Sequence, residues 1–278
     1  MSAASISDPG QANWSVDRIP YDAVDRKMVC DDTVLFYLMS SASLVERASG
    51  VYASSLAEFF SDDSEIVDWL VNSWEREELQ HGEALTRYVK AAWPDFDWDC
   101  AYEGFIAELA PLYTVSRLAP TRALEMLARC FVESGTATYY RMFATLSDEP
   151  VLHEVTSKIS ADEVRHYKHF YRHFLRYREI EKPGRAALLR TLWARSSEID
   201  AEDLVYAVKH IQRVRHPGLR WQRSEYEAVR NASFRRMRQH YPYTMATKML
   251  LKPLGLSTTT CRIVTPVIAP AARFFLMR

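Results

Sequence analysis

The chain has 278 residues, of which 48% are hydrophobic, and this is enough apolar material for a buried core. Its formal net charge of −1 gives no whole-molecule field that would attract nucleic acid, so we expect no nucleic-acid partner. Four widely spaced cysteines with no C-x-x-C pair exclude zinc-ribbon and rubredoxin-type sites and predict free thiols; they are Cys30, Cys100, Cys130 and Cys261.

Two features of the sequence indicate the cellular location of the protein. Residues 1–13 are small and polar and lack the basic and apolar regions of a secretory signal. No stretch approaches the roughly 18 uninterrupted apolar residues that a membrane-spanning helix needs. These features predict a cytoplasmic protein.

Helical periodicity dominates the sequence and glycine is scarce, which predicts an all-α fold. After an N-terminal arm, residues 1–30, the first bundle helix is predicted to begin at the Asp31/Asp32 cap and to reach about Phe60. The second helix should begin after residues 61–64 and end before Pro94.

A helical crossover is predicted between Cys100 and Arg117, and it would connect the first pair of helices to the second. The third helix should open at Pro120 and stop near Ser147, and the fourth should run from Pro150 to the Pro183-Gly184 pair. Residues 31–182 are therefore predicted to form a four-helix bundle, with additional C-terminal helices beyond it.

The composition changes after the bundle. Residues 183–256 are predicted to form a basic helical extension, in which eight arginines lie between Arg213 and His240. This stretch fits docking of an acidic carrier protein or ferredoxin, and it also fits a solvated helix face. Residues 257–278 form an apolar tail that either contacts a membrane interface or covers the bundle.

Two Glu-x-x-His motifs are the main indication of a functional site in the sequence. Glu78 and His81 form the first, Glu163 and His166 the second, and each follows a lone helical glutamate by roughly thirty residues. Positions i and i+3 share a helix face, and ferritin-like di-metal bundles combine two such motifs with two further glutamates. The pattern repeats after 85 to 87 positions and predicts six metal ligands: Glu46, Glu78, His81, Glu133, Glu163 and His166.

Four carboxylates and two imidazoles form an oxygen and nitrogen environment that favours two iron ions, with manganese as the alternative. Glu78 and Glu163 are predicted to bridge the two metals, leaving open positions for dioxygen. A metal cation would also compensate the cost of burying carboxylates in a bundle core.

Charged residues beside the motifs are candidates for holding the ligands in place. Asp162 is predicted to accept the N–H of a ligating imidazole, although a solvent-facing acid is the alternative. The role of Glu77, which lies beside Glu78, stays open, and Arg165 could form an ion pair with either kind of neighbour.

Trp74–Leu85 (WEREELQHGEAL) and Ser160–Tyr167 (SADEVRHY) resemble the EENRHG and ADEKRH segments of soluble acyl-carrier-protein desaturases, members of the ferritin-like di-iron carboxylate superfamily. The similarity spans the bundle, about half the chain. In that family a threonine one turn after the third-helix glutamate takes part in oxygen activation. The resemblance implies this role for Thr136; a hydroxyl bonded to its own i−4 carbonyl is the alternative.

We therefore expect an O₂-activating non-haem di-iron oxidoreductase of the desaturase or hydroxylase type, acting on a C–H bond of an acyl or similar apolar substrate. The resemblance implies fatty acid metabolism, an external electron donor such as ferredoxin and an acidic acyl carrier protein. A homodimer is one expected assembly. A stripe of residues would line the substrate channel or, alternatively, pack an ordinary core: Met126, Cys130, Tyr140, Phe170 and Phe174.

Other members of the same architecture remain alternatives. A ferritin-like ferroxidase rarely needs the hundred or so residues that follow the fourth helix, and the cysteine spacing excludes a rubrerythrin-type iron domain. Radical-generating reductase subunits often carry a tyrosine at the position of Leu85. Manganese catalases and di-iron N-oxygenases stay open, whereas a non-catalytic scaffold would leave the six matched ligands unexplained.

Overall fold

A computed structural model of the chain describes residues 14–197 and 202–256, together with 259–260, 262–263 and 265–266. Within these ranges every regular element is a helix, which confirms the all-α fold predicted from the periodicity and agrees with the ferritin-like bundle predicted from the two motifs. Residues 14–30 of the predicted arm are described, whereas most of the predicted apolar tail, residues 257–278, lies outside the described residues. None of the described helices combines the length and the apolar character that crossing a membrane requires.

The first half of the chain contributes α1 (Arg26–Val29), α2 (Thr33–Arg47), α3 (Ser49–Phe59), α4 (Ser64–Trp69) and α5 (Glu75–Ala92). The Asp32 carboxylate caps α2 by accepting the N–H of Leu35. The prediction of one continuous first helix to Phe60 is wrong, because Ala48, with ψ near 1°, separates α2 from α3. Ser49 and Gly50 directly follow the break and are weak helix formers.

The second predicted helix is also not uniform. Leu70–Trp74 forms a π-helical segment between α4 and α5. The wider turn places an extra residue ahead of the first Glu-x-x-His motif and so changes which face of α5 points inward. Such segments often occur beside functional sites.

The second half contributes α6 (Trp98–Leu109), α7 (Arg122–Leu146) and α8 (Pro150–Glu181), and α6 forms the helical crossover between the two halves. The third helix begins later than predicted, because the Thr121 hydroxyl, rather than Pro120, caps it. Pro150 opens α8 as predicted, with the Glu149 side chain accepting two backbone N–H groups.

The extension contributes α9 (Arg185–Ser197), α10 (Glu202–Arg215), α11 (Arg223–Met237) and α12 (Tyr243–Leu251). In the bundle, α7 packs along α8 and α2 along α5. From outside, α10 packs on α6 and α2, while α9 and α12 pack on α7. Two apolar clusters fill the interior.

Candidate metal centre

The fold brings all six predicted ligands into one buried pocket. Glu46 comes from α2, Glu78 and His81 from α5, Glu133 from α7, and Glu163 and His166 from α8, and none is more than 8% exposed. Each Glu-x-x-His helix thus points a carboxylate and an imidazole at the same interior space.

The donor atoms divide into two overlapping groups. One contains Glu46, Glu78, His81 and Glu163, the other Glu78, Glu133, Glu163 and His166; within each group, one donor atom per residue lies within 4.8 Å of the others. Glu78 and Glu163 belong to both groups, which is the position expected of bridging carboxylates. The described residues could therefore hold two metal ions side by side.

The inward nitrogen of each histidine tests whether the pocket fits a metal. His81 Nδ1 lies 3.1 Å from Glu163 Oε1, and His166 Nδ1 lies 3.0 Å from Glu78 Oε1. Despite these short distances, neither nitrogen forms a hydrogen bond with acceptable geometry. Two carboxylate oxygens, Glu133 Oε2 and Glu163 Oε1, are also buried without a hydrogen-bond partner. Buried polar atoms without partners are costly, and metal ions between them would satisfy all four.

The outward nitrogens are held by the two acids that precede the motif glutamates. Asp162 Oδ2 lies 3.1 Å from Nε2 of His81, and Glu77 Oε2 lies 2.7 Å from Nε2 of His166. Each acid thus holds the histidine of the opposite motif. Such bonds fix ring orientation and direct the other ring nitrogen at the metal.

Arg165 joins these two outer carboxylates. Its guanidinium donates to Asp162 and, at 2.9 Å, to Glu77 Oε2. The sequence left open which acid Arg165 contacts, and in the structure it contacts both. The arginine compensates the charge of the outer acids and links the two halves of the centre through one side chain.

Two members of this surrounding network were not assigned from sequence. Trp14, from the segment before α1, donates its indole N–H to Asp162 Oδ2 at 2.8 Å and stacks parallel to the His81 ring. Nothing in the local sequence around Trp14 indicates this contact. Glu77 could have been assigned, because it lies 85 positions before Asp162, the same offset that relates the two motifs.

Burial and mutual charge set the protonation of the metal-free pocket. Burial, reinforced by the neighbouring glutamates, raises the pKa of Glu46 and of Glu133 well above the ordinary value. Burial alone would lower the pKa of His81 and His166, but the surrounding carboxylates raise both well above the usual range. The pocket therefore retains protons that bound metal ions would displace.

The hydroxyl groups of Thr136 and Tyr140 donate hydrogen bonds to two of the candidate ligand carboxylates. Thr136 Oγ1 donates to Glu163 Oε2 at 2.7 Å and lies 3.3 Å from the carbonyl oxygen of Val132, so both interpretations of this residue have a contact. The Tyr140 hydroxyl donates to Glu46 Oε1. Tyr140 thus contacts a candidate ligand, and the channel prediction for this residue did not include that contact.

The other predicted channel residues lie together. Met126, Cys130, Phe170 and Phe174 belong to one apolar cluster, whereas Tyr140 belongs to the other. All five are almost completely buried. Their role in a channel remains a prediction.

Comparison with known proteins supports the fold. No protein-family model and no curated protein matches the sequence. Among solved structures, the chain is similar to a mutant R2-like ligand-binding oxidase with an anaerobically reconstituted Mn/Fe cofactor. The match has a TM-score of 0.51 at 17% identity and covers 82% of this chain and 87% of the other.

Proposed function

We propose that the protein is an O₂-dependent di-metal oxidoreductase of the desaturase or hydroxylase type, acting on a C–H bond of an acyl or similar apolar substrate. The observation that carries the proposal is the pair of four-residue donor groups that share Glu78 and Glu163. The structural neighbour, an oxidase with a Mn/Fe cofactor, supports it. Iron is the expected metal, with manganese at one or both positions as the alternative.

When bound, the two metals would supply the dioxygen and redox chemistry, and electrons would come from an external donor such as ferredoxin. The chain itself contributes a rigid, dry ligand cage. Asp162 and Glu77 hold the two imidazoles, and Arg165 holds both acids. This arrangement keeps the donor atoms in position for the metals before they bind.

Thr136 is the proposed proton-handling residue. Its hydroxyl already donates to Glu163 Oε2, so it lies at the proposed centre and can relay a proton there, giving up its own proton only as its oxygen accepts another. Tyr140 fixes Glu46 on the other side of the pocket. The resemblance of the two motif segments to acyl-carrier-protein desaturases supports this assignment of Thr136.

An apolar substrate would approach through the cluster that contains Met126, Cys130, Phe170 and Phe174. Cys130 lies three residues before the candidate ligand Glu133 on α7, and Phe170 lies four residues after the candidate ligand His166 on α8. The four side chains are apolar, which favours an alkyl chain over a polar substrate.

The proposed docking surface for an acidic electron donor or acyl carrier is the end of α10 and the loop that follows it. Arg213, Arg215, Arg220 and Arg223 are exposed there, and among the described residues none of the four pairs with a carboxylate. A cavity of about 300 Å³ beside them is lined by Leu219 and Trp221, among others. Arg215 lies over the Phe36 ring and Arg223 over the Tyr226 ring, and Glu225 is part of the cleft lining. The four exposed positive charges still outnumber this one acid, which suits an acidic partner.

The proposal is tested by metal content and by product. We expect about two irons per chain after anaerobic loading, and an O₂-dependent product when NADPH, ferredoxin reductase, ferredoxin and acyl carriers are supplied. His166→Gln should lose metal, whereas His153→Gln, also on α8 but bonded to the Ala144 carbonyl, should keep it. Rapid Fe²⁺ oxidation with growth of an iron core and no organic product would instead indicate iron storage, and equal metal content in the two variants would refute the centre.

A further inference from the structure

A pair of histidines outside the metal centre has no part in the proposed function. His169 and His173 follow His166 along α8, and their Nε2 atoms lie 3.0 Å apart. Trp69, the last residue of α4, stacks on His169 with ring centroids 3.7 Å apart and planes 11° apart. The pair lies at the contact between α4 and α8.

Both imidazoles are neutral at physiological pH. Burial lowers the pKa of His169 to about 3 and that of His173 to about 4, with nearby Arg172 adding to both shifts. In the metal-free chain one Nε2–H must donate to the other Nε2. Because neither ring carries a positive charge, a metal ion displaces only that shared proton to another ring position when it binds.

The spacing of the two nitrogens suits a single metal ion. With metal–nitrogen bonds of about 2.0–2.1 Å, two nitrogens 3.0 Å apart enclose an angle of about 90–100° at the metal, which fits common coordination geometries. Glu65 supplies a carboxylate oxygen 4.0 Å from His173 Nε2, and its side chain is 58% exposed. The two oxygens of Glu65 accept from Arg172 at 3.1 Å and from Arg176 at 2.7 Å, so this carboxylate can become a third ligand only when it turns away from the arginines.

Arg172 works against metal binding at this position. Its Nη2 lies 3.3 Å from His173 Nε2 and 3.1 Å from Glu65 Oε1, so its positive charge occupies the space beside the pair. The arginine is 62% exposed and can turn toward solvent without disturbing the core. Its presence predicts weak, reversible metal binding rather than a permanent structural site.

We propose that His169 and His173, with Glu65, form a separate site for a divalent transition metal that ions occupy on their way to the buried centre. Trp69 borders both sites, since it stacks on His169 and also meets the His166 ring edge-on at 6.3 Å. The existence of this site is independent of the proposed function. Its role in delivery rests on the centre being a metal site.

Copper titration of the metal-free, full-length chain tests the site, because imidazole suits Cu²⁺ and Cu²⁺ stands highest in the affinity order. We expect His169→Gln and His173→Gln each to bind about one copper fewer than wild type, with loss of nitrogen coupling in the copper EPR spectrum. His153→Gln is the matched control on α8 and should behave as wild type. Equal copper content and equal spectra in all four proteins would overturn the site.

The same titration in a Glu133→Gln background separates this inference from the proposed function. If the buried centre binds no metal, the copper that depends on His173 should still be present. Arg172→Gln changes only an exposed side chain and should tighten copper binding, and this variant keeps the test valid if a histidine variant folds poorly. Unchanged or weaker binding in Arg172→Gln would contradict the placement of the arginine charge beside the metal position.

The delivery role is tested by the rate of anaerobic Fe²⁺ uptake into the centre. His173→Gln should slow uptake and reach the same final content of two irons per chain. Equal rates in wild type and His173→Gln would overturn delivery even if the copper site is present.

Discussion

Gly82 directly follows the ligand candidate His81 and lies where α5 approaches α2 most closely. A Cβ atom at this position would lie 2.7 Å from both Cα and N of Arg47 and 2.9 Å from the carbonyl carbon of Glu46. These atoms belong to the backbone of α2 and cannot turn away. The substitution Gly82→Ala must therefore push α2 outward together with Glu46, a proposed ligand.

The size of the effect follows from two opposing terms. Overpacking of a tight interface costs about 1–3 kcal/mol, whereas replacing glycine by alanine in a helix contributes up to about 1 kcal/mol of stabilisation. We expect a net loss of roughly 1–2 kcal/mol in the free energy of unfolding of the metal-free protein. The centre should also lose metal, first from the group that contains Glu46.

Gly135 on α7 provides a matched control, because it lies two residues after the ligand candidate Glu133 and an added Cβ would have no atom within 4 Å. Gly135→Ala should stabilise the chain by about 0.5–1 kcal/mol and leave metal content unchanged. Urea unfolding of both metal-free variants, with metal analysis after loading, measures the contrast. If Gly82→Ala proved as stable as Gly135→Ala and bound two ions, the close approach of the two helices would be wrong.

Three further outcomes follow from the site. Glu77→Gln should weaken metal binding by about 10–100-fold, because the His166 ring loses the acceptor that orients it, and an unchanged metal titration would exclude that role. The pKa values of Glu46, Glu133, His81 and His166 are raised in the folded metal-free chain, so these groups hold more protons when folded than when unfolded. The metal-free protein should therefore lose stability as pH rises above about 4.5, through the two glutamates, and further above about 6.5, through the two histidines. Stabilisation by Mn²⁺ should accordingly be larger at pH 8 than at pH 6, and thermal melts with and without the ion at both pH values would show it. Thr136→Val should keep two metal ions but reduce product formation by about 10²–10⁴-fold if its hydroxyl transfers a proton, and a variant with full turnover would leave Thr136 with its structural contacts alone.

The pairing of candidate ligands on one helix face could be predicted from sequence, because it depends only on their spacing along the chain. Positions i and i+3 share a helix face whatever the rest of the chain does, so Glu78 with His81 and Glu163 with His166 were predicted as pairs. The order of the four glutamates then indicated a ferritin-like bundle. The structure brings these residues together as two groups that share the expected carboxylates.

Tertiary packing decided which side chain meets which across the helices. Glu77 holds the histidine of the other motif, Arg165 joins two acids from different helices, and Trp14 reaches Asp162 across 148 positions. The π-helical segment at Leu70–Trp74 and the break at Ala48 were also not predicted, because apolar periodicity indicates a helix without showing where it widens or breaks. Sequence periodicity fixes the face of a helix, but only the packed fold fixes what that face contacts.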